Sequence, residues 1–401
     1  MARSLKSYLM TDYHISLITS LDEISAEEWD SCCFTQETGH NPFISHAFMS
    51  ALEDSGCAVA DTGWQAQHII ARAGDKGNIV GVMPLYLKSH SYGEYVFDHA
   101  WANAFQSAGG HYYPKLQAAV PFSPVTTPKL LVHPTALKAE VQTILVQAAE
   151  AAARKLSVSS LHVTFAERHE WDLMAEQGFL KRQDQQFHWQ NERYGEFDDF
   201  LQKLSSRKRK NIRKERRLAV QNDIEIELLN GHQITEDHWD DYFSFYLDTA
   251  NRKWGQPYLN RRFFSLLGQG LPNRILLVMC KRGGRYIAGA LNLLSDDTLY
   301  GRYWGAIEDH RYLHFEVCYY QAIEYAIAHG LKKVEAGAQG EHKLARGYLP
   351  TSTYSAHWIR DPGFRQAVEN YLVQERQAVL HEQEILRDFA PFKKTSSLPK
   401  S

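Results

Sequence analysis

One stretch constrains the fold more than any other. From Arg274 the chain runs RILLVMC, KRGGR, YIAGALNLL, SDD, TLYGRYWG, three short apolar segments separated by tight turns. Gly283-Gly284 supplies hairpin chemistry at the first turn and Ser295-Asp296-Asp297 at the second, so the run predicts an antiparallel meander. After Glu308-Asp309, the apolar residues Phe315, Tyr319, Ala322, Ile323, Ala326 and Ile327 recur at helical spacing up to Gly330, which suits a C-terminal cap. That predicts one amphipathic helix of about five turns. Lys333 to Gly337 then reads as a short buried strand laid beside the meander through the crossover helix. The order β-β-β-α-β is followed by a polar and basic loop, Gln339 to Gly347, and a last strand from Thr353 to Ile359. The fold class is therefore α/β, or more strictly α+β, with mixed sheets flanked by helices.

The first half repeats this order less cleanly. Strands are expected at Trp64 to Ala71, Ile79 to Lys88, Tyr92 to Trp101 and Lys129 to Val132, with a turn at Gly74 to Asn78. A helix is expected from about Thr135 to Leu156, a strand at Leu161 to Phe165, a short helix at Trp171 to Gln177, and a strand from Phe179. A helical segment from Phe197 to about Gln221 links the halves. The reading gives an N-terminal domain over residues 1–194, a C-terminal domain over 195–363 and a helical tail over 364–401. At 401 residues with 44% hydrophobic content, two packed cores fit the point at which single cores stop growing, about 250–300 residues.

Several classes of function fall away. The net charge of −3 creates no global attraction to nucleic acid or membrane, so such binding needs a local patch. The five cysteines show neither a disulfide framework nor metal-site spacing. The first twenty residues lack the apolar core of a signal peptide, and Ile275 to Cys280 falls far short of the approximately 20 residues of a membrane span. A cytoplasmic chain without a membrane span is expected. There is no Walker-type loop, HExxH helix, Gly-x-Ser-x-Gly elbow or paired CxxC.

The local patch is RKRKNIRKERR, Arg207 to Arg217, in which eight of eleven residues are basic and Ile212 is the only strongly apolar one. On a helix it either binds anions, with Arg209 and Arg213 as the candidate contacts, or serves as a solvated face. The second concentration of chemistry is EAGAQGEHKLARGYLPTSTYSAHWI, Glu335 to Ile359. Glu335, at the end of a strand, could take the proton of an attacking amine, or pair with Lys343 or Arg346. His342 is a base at neutral pH. Lys343 and Arg346 can hold a phosphate or carboxylate. Gly337, Gly340 and Gly347 let backbone N–H groups approach an oxyanion or pyrophosphate. Tyr354 and Tyr348 are candidate acids for a leaving group, or core aromatics.

These two motifs, together with HNPFISHAFMSALEDSGC (His40 to Cys57) and YYPKLQAAVPFSPVTTPKLLV (Tyr112 to Val132), resemble the FemAB-like family of peptidoglycan biosynthesis or recognition, also labelled GNAT-family N-acetyltransferases. The resemblance spans roughly Asn41 to Ile359. It implies a tandem GNAT-like acyl-CoA N-acyltransferase fold and transfer of an acyl or aminoacyl group onto a small-molecule or peptide amine acceptor. It implies no tightly bound cofactor, with acyl-CoA or aminoacyl-tRNA as co-substrate and tRNA as a partner. The GNAT cofactor signature, Arg or Gln followed by Gly-x-Gly or Gly-x-Ala, is not evident between Gly305 and Glu316. The alternative is a non-catalytic GNAT-fold module that binds glycan, peptide or RNA. The sequence leaves the oligomeric state open.

Overall fold

The structure, a computed structural model, describes residues 13–35, 39–74, 77–253, 256–337 and 340–393. The first-half strands are β1 (Tyr13–Ile18), β2 (Trp64–Ala66), β3 (His68–Ala73), β4 (Ile79–Met83), β5 (Tyr86–Lys88), β6 (Lys115–Ala118), β7 (Leu131–Val132), β8 (Ser160–Ala166) and β9 (Leu180–Gln190). The second half adds β10 (Ile224–Asn230), β11 (Ile275–Arg282), β12 (Arg285–Leu294), β13 (Thr298–Ala306), β14 (Lys333–Glu335) and β15 (Leu349–Ile359). Among the described residues they form a four-stranded sheet, β1-β3-β4-β7, and an eleven-stranded sheet, β10-β11-β12-β13-β14-β9-β15-β8-β6-β5-β2.

The meander forms as its turns dictate. Gly283 and Gly284 both have positive φ, 58° and 78°, and join β11 to β12 in register with Arg282 opposite Arg285. Primed two-residue turns need that backbone region, and their twist matches the strands they join. A bulge interrupts β12–β13 pairing: Leu291 faces Tyr303 and Asn292 faces Gly301, leaving Arg302 unopposed. The crossover over residues 313–328 comprises a helical turn at Leu313–Phe315, a wider π-turn at Glu316–Tyr320 and an α-helix at Gln321–Ala328. It returns the chain to β14, parallel to β13.

The halves are interleaved. Strand β9 lies between β14 and β15, and β15 also pairs with β8, so the large sheet runs through the 194/195 division without interruption. The helix Pro362–Asp388 packs across β9 and β15. A further difference from expectation is the segment Tyr92 to Trp101, which is not a strand: it is irregular up to a helix at His99–Ser107. Its Glu94 and Asp98 turn inward to the buried Lys115, at 2.7 and 2.5 Å, and Lys88 approaches Glu94 to 3.9 Å. Side chains facing the interior for ion pairing override the alternation that suggested a strand. The linking helix also divides, into Phe197–Lys203 and Ser206–Ala219, with extended backbone at Leu204.

Candidate active site

Strands β13 and β14 pair over only three residues, Thr298–Tyr300 against Lys333–Glu335. Beyond that β14 ends and β13 continues to Ala306, which opens a wedge at the carboxyl end of the parallel pair, where α/β folds place ligands. A cleft of about 550 Å³ occupies it. The second half supplies Gly301 to Trp304, His314 and Tyr319, then Ala336, Gly337, Gly340, His342 and Lys343. Helix Glu236–Lys253 adds Tyr246 and Thr249, and the first half adds Tyr95, Phe97, Phe122 and Pro124. The walls are mostly aromatic and the polar groups few, which is the usual make-up of a small-molecule site.

The turn Glu341–Arg346 holds the polar residues at one end. His342 Nε2 lies 2.9 Å from the Tyr319 hydroxyl, and its ring packs 5.6 Å from that of Phe315. Lys343 is 3% exposed and donates from Nζ to the Gly337 carbonyl at 2.9 Å. Burial, with the nearby Arg302 charge, pushes the Lys343 pKa down to about 7. Gly340, at φ 118°, has no room for a side chain: a Cβ would lie 2.5 Å from the His342 ring.

Arg346 forms the base of this turn. Its Nη1 donates to the His342 carbonyl at 2.7 Å, Nη2 donates to Glu215 Oε2 at 2.8 Å, and its guanidinium lies 3.5 Å from the Phe315 ring centroid. Gly347 ends the turn at φ 91°, with Phe200 packed against it.

Glu335 sits beneath the cleft rather than in it. Fully buried, it pairs with Lys333 Nζ at 2.7 Å, and its Oε2 lies 3.6 Å from Arg302 Nη2, not against Lys343 or Arg346. Burial raises its pKa, but His188, Lys333 and Arg302 together outweigh that and hold it low. Tyr354 is elsewhere: it packs on Trp171, with ring centroids 4.8 Å apart, in the first-half core. Tyr348 is a buried core residue.

On the basic helix, Arg213 pairs with Asp198 at 2.5 Å, and Arg209 contributes to the field that lowers the Asp198 pKa after the Arg213 hydrogen bond. Arg216 is bound by Glu316 and Glu324, at 3.0 and 2.5 Å. The exposed cationic stripe is instead Arg207, Lys210, Lys214 and Arg217, spaced 3, 4 and 3 along the helix.

The structure thus brings Gly337, Gly340, His342 and Lys343 together, backs them with Arg346 and Gly347, and leaves Tyr354, Arg209 and Arg213 outside the cleft. Sequence reasoning missed Tyr319 and Arg302. Tyr319 reads as one more apolar-face residue of the crossover helix, and only the π-turn shows what turns it toward the cleft. Arg302 in LYGRYWG was the available signal, a lone charge among glycine and aromatics. Its side chain is 2% exposed and lies 5.0 Å from the Phe43 ring centroid, with Nε and Nη2 lacking hydrogen-bond partners among the described residues. Among the described residues no cluster could hold a metal ion, and no helix is long and apolar enough to cross a membrane.

Among the described residues only the eleven-stranded sheet is mixed, with parallel pairs β13–β14 and β6–β8, whereas β1-β3-β4-β7 is antiparallel throughout, a correction to the expectation of mixed sheets. With flanking helices and a cleft at the splayed parallel strands, the two sheets define an α/β protein. Residues 20–394 match the FemAB-like family model, described as peptidoglycan biosynthesis/recognition, and the chain belongs to that family. Membership ties it to peptidoglycan biosynthesis or recognition, as the resemblance implied. The crystal structure of FemX is similar at 12% identity and TM-score 0.54, over 86% of this chain and 98% of that one. L-PGS from Bacillus licheniformis is similar at 8% identity and TM-score 0.50, over 83% and 97%. A tandem GNAT protein from the clavulanic acid biosynthesis pathway aligns at 13% identity and TM-score 0.47, over 88% and 99%. No curated protein matches by sequence.

Proposed function

We propose that the cleft transfers an acyl or aminoacyl group from an activated donor to an amine of a peptidoglycan precursor in the cytoplasm. The observation that carries this reading is the single cleft in which His342 and Lys343 of the family-like segment face aromatic walls from both halves. His342 takes the proton of the attacking amine, and Lys343 meets the negative charge that develops on the acyl oxygen or on the donor. Glu335, sealed below, holds Arg302 and Lys333 in place. Residues up to 194 provide one wall, residues 195–363 the polar groups, and the tail buttresses the shared sheet. Acyl-CoA is the donor that needs the cleft alone. Aminoacyl-tRNA would also engage the stripe from Arg207 to Arg217 and lose affinity steeply with salt.

The test is transfer of a labelled acyl group from acetyl-CoA, a longer acyl-CoA or charged tRNA to a muramyl pentapeptide with a free lysine amine. The wild type is expected to transfer from one donor class, and His342→Gln to lose about 100-fold or more. Undiminished transfer by the variant removes His342 from the mechanism. Saturable acceptor binding without transfer from any donor replaces the enzyme with a binding module.

A further inference from the structure

We propose that the first half of the chain holds a second small-molecule site, in the gap between β7 and β8, whose ligand is a neutral molecule with an apolar body and a secondary amide.

The order of elements puts the gap there. Strand β1, the helices Ala26–Cys33 and His46–Asp54, the strands β3, β4 and β7, a crossover helix (Lys138–Lys155) and β8 follow one another in the first half. Strand β10, the helices Glu236–Lys253 and Arg261–Gly270, the strands β11, β12 and β13, the crossover over residues 313–328 and β14 do the same in the second. There the cleft opens where β13 and β14 part after three paired residues. In the first half the corresponding strands do not pair at all among the described residues: β7 pairs with β4, and β8 with β6 and β15. A cavity of about 490 Å³ lies between them.

Its lining comes from the corresponding places. Cys32 and Phe34 stand at the end of the first helix, Leu131 and Val132 belong to the third strand of the meander, and Glu167 and His169 follow β8. Side chains tie the apex of the gap where the second half uses a ladder. Lys129 Nζ donates to the Phe165 carbonyl at 2.9 Å, and Glu170 accepts from the backbone amides of Lys129 and Leu130 at 2.9 and 2.7 Å. These buried bonds anchor the chain entering β7 to the end of β8.

Two polar groups define what the cavity recognises. His133 Nδ1 accepts from the Thr135 amide at 3.3 Å and lies 2.8 Å from the Thr135 hydroxyl, so the ring proton sits on Nε2, a donor with no partner among the described residues. Gln142, 5% exposed, turns its Nε2 to the Leu130 carbonyl at 3.4 Å, within 3.5 Å of His169 Nε2. A carbonyl only accepts, which fixes the orientation of the Gln142 amide and leaves its Oε1 an acceptor with no partner among the described residues. A shielded acceptor without a donor is costly to the fold, and a ligand N–H removes that cost. One donor and one acceptor among apolar walls match the C=O and N–H of a secondary amide. Lys138 and Glu167, the fixed charges of the lining, are opposite in sign, and Glu167 lies 3.4 Å from His169 Nδ1. No net charge is left to select an anion, least of all the multiply charged CoA.

Titration of the full chain, labelled at leucine and valine methyl groups, with N-butylhexanamide tests this by NMR, because Leu130, Leu131 and Val132 line the cavity. Saturable shifts of those methyls are expected, and butyl hexanoate, which has the same shape without the N–H, should bind about tenfold more weakly. Ala136→Trp puts an indole in the cavity and should weaken the amide at least about tenfold, whereas Ala336→Trp, in the other cleft, should leave it unchanged. Gln142→Met should erase the preference for amide over ester. Absence of saturable shifts overturns the inference, as does equal affinity of wild type for amide and ester. So does tighter binding of octanoate or CoA than of the amide, or loss of the amide in Ala336→Trp.

Discussion

Replacing Lys343 with methionine should make the protein more stable, and more so in mild acid than in mild alkali. The amine is 3% exposed, and its pKa falls from 10.5 to about 7. At about 1.4 kcal/mol per pH unit, a base so depressed costs the folded state about 5 kcal/mol below pH 7. Between pH 7 and 10.5 the unfolded chain binds the extra proton, so stability climbs with pH and the cost at pH 9 is about 2 kcal/mol. Methionine fills the same slot without a charge but forfeits the hydrogen bond to the Gly337 carbonyl, about 1 kcal/mol. Lys343→Met is therefore expected to gain about 4 kcal/mol at pH 6 and about 1 kcal/mol at pH 9 in urea unfolding. Other titrating groups cancel in the comparison with wild type. A gain independent of pH, or a loss at pH 6, refutes the reasoning. The same variant should lose transfer activity, because the lysine is retained for its charge despite what it costs the fold.

Three further outcomes follow from the same site. Burial, reinforced by Lys333, Arg302 and Lys343 against the opposing pull of Glu335, pushes the His188 pKa down to about 4. Stability is then present above the ordinary pKa of 6.5 and lost as pH falls toward 4; His188→Gln should remove about 3 kcal/mol of that acid dependence in unfolding titrations. Glu335→Gln leaves the buried Arg302 without its counter-charge and should cost about 3–5 kcal/mol, measured by denaturant midpoint at constant slope. Gly347→Ala places a Cβ 2.8 Å from the Phe200 ring at φ 91°, and should lower stability by about 1–3 kcal/mol while weakening transfer through a displaced His342 turn.

What was legible in the sequence was local. The meander could be read because Gly283-Gly284 and Ser295 to Asp297 specify turns within a few residues, and the parallel strand because a helix must intervene before it. The exchange of β9 and β15 across the halves was not, since pairing between distant strands leaves no periodic mark. The segment Tyr92 to Trp101 misled because its alternation is that of a strand, whereas ion pairs from Glu94 and Asp98 to Lys115 decide its course. In the site, Gly337, Gly340, His342 and Lys343 were found together because they lie within seven consecutive positions. Tyr319 and Arg302 stayed hidden because a π-turn and a bulge, both departures from regular spacing, redirect them.

The central claim is that the donor is held in the cleft at the splayed end of β13 and β14. Calorimetric titration of acetyl-CoA, a longer acyl-CoA and charged and uncharged tRNA into wild type and Ala336→Trp tests it most directly, because Ala336 lines the cleft and the indole would fill it. Saturable binding of one donor class by wild type, reduced at least about tenfold in a variant with unchanged unfolding, is the predicted result, a difference of about 1.4 kcal/mol. Equal affinity in the two proteins would place the donor elsewhere and contradict the account.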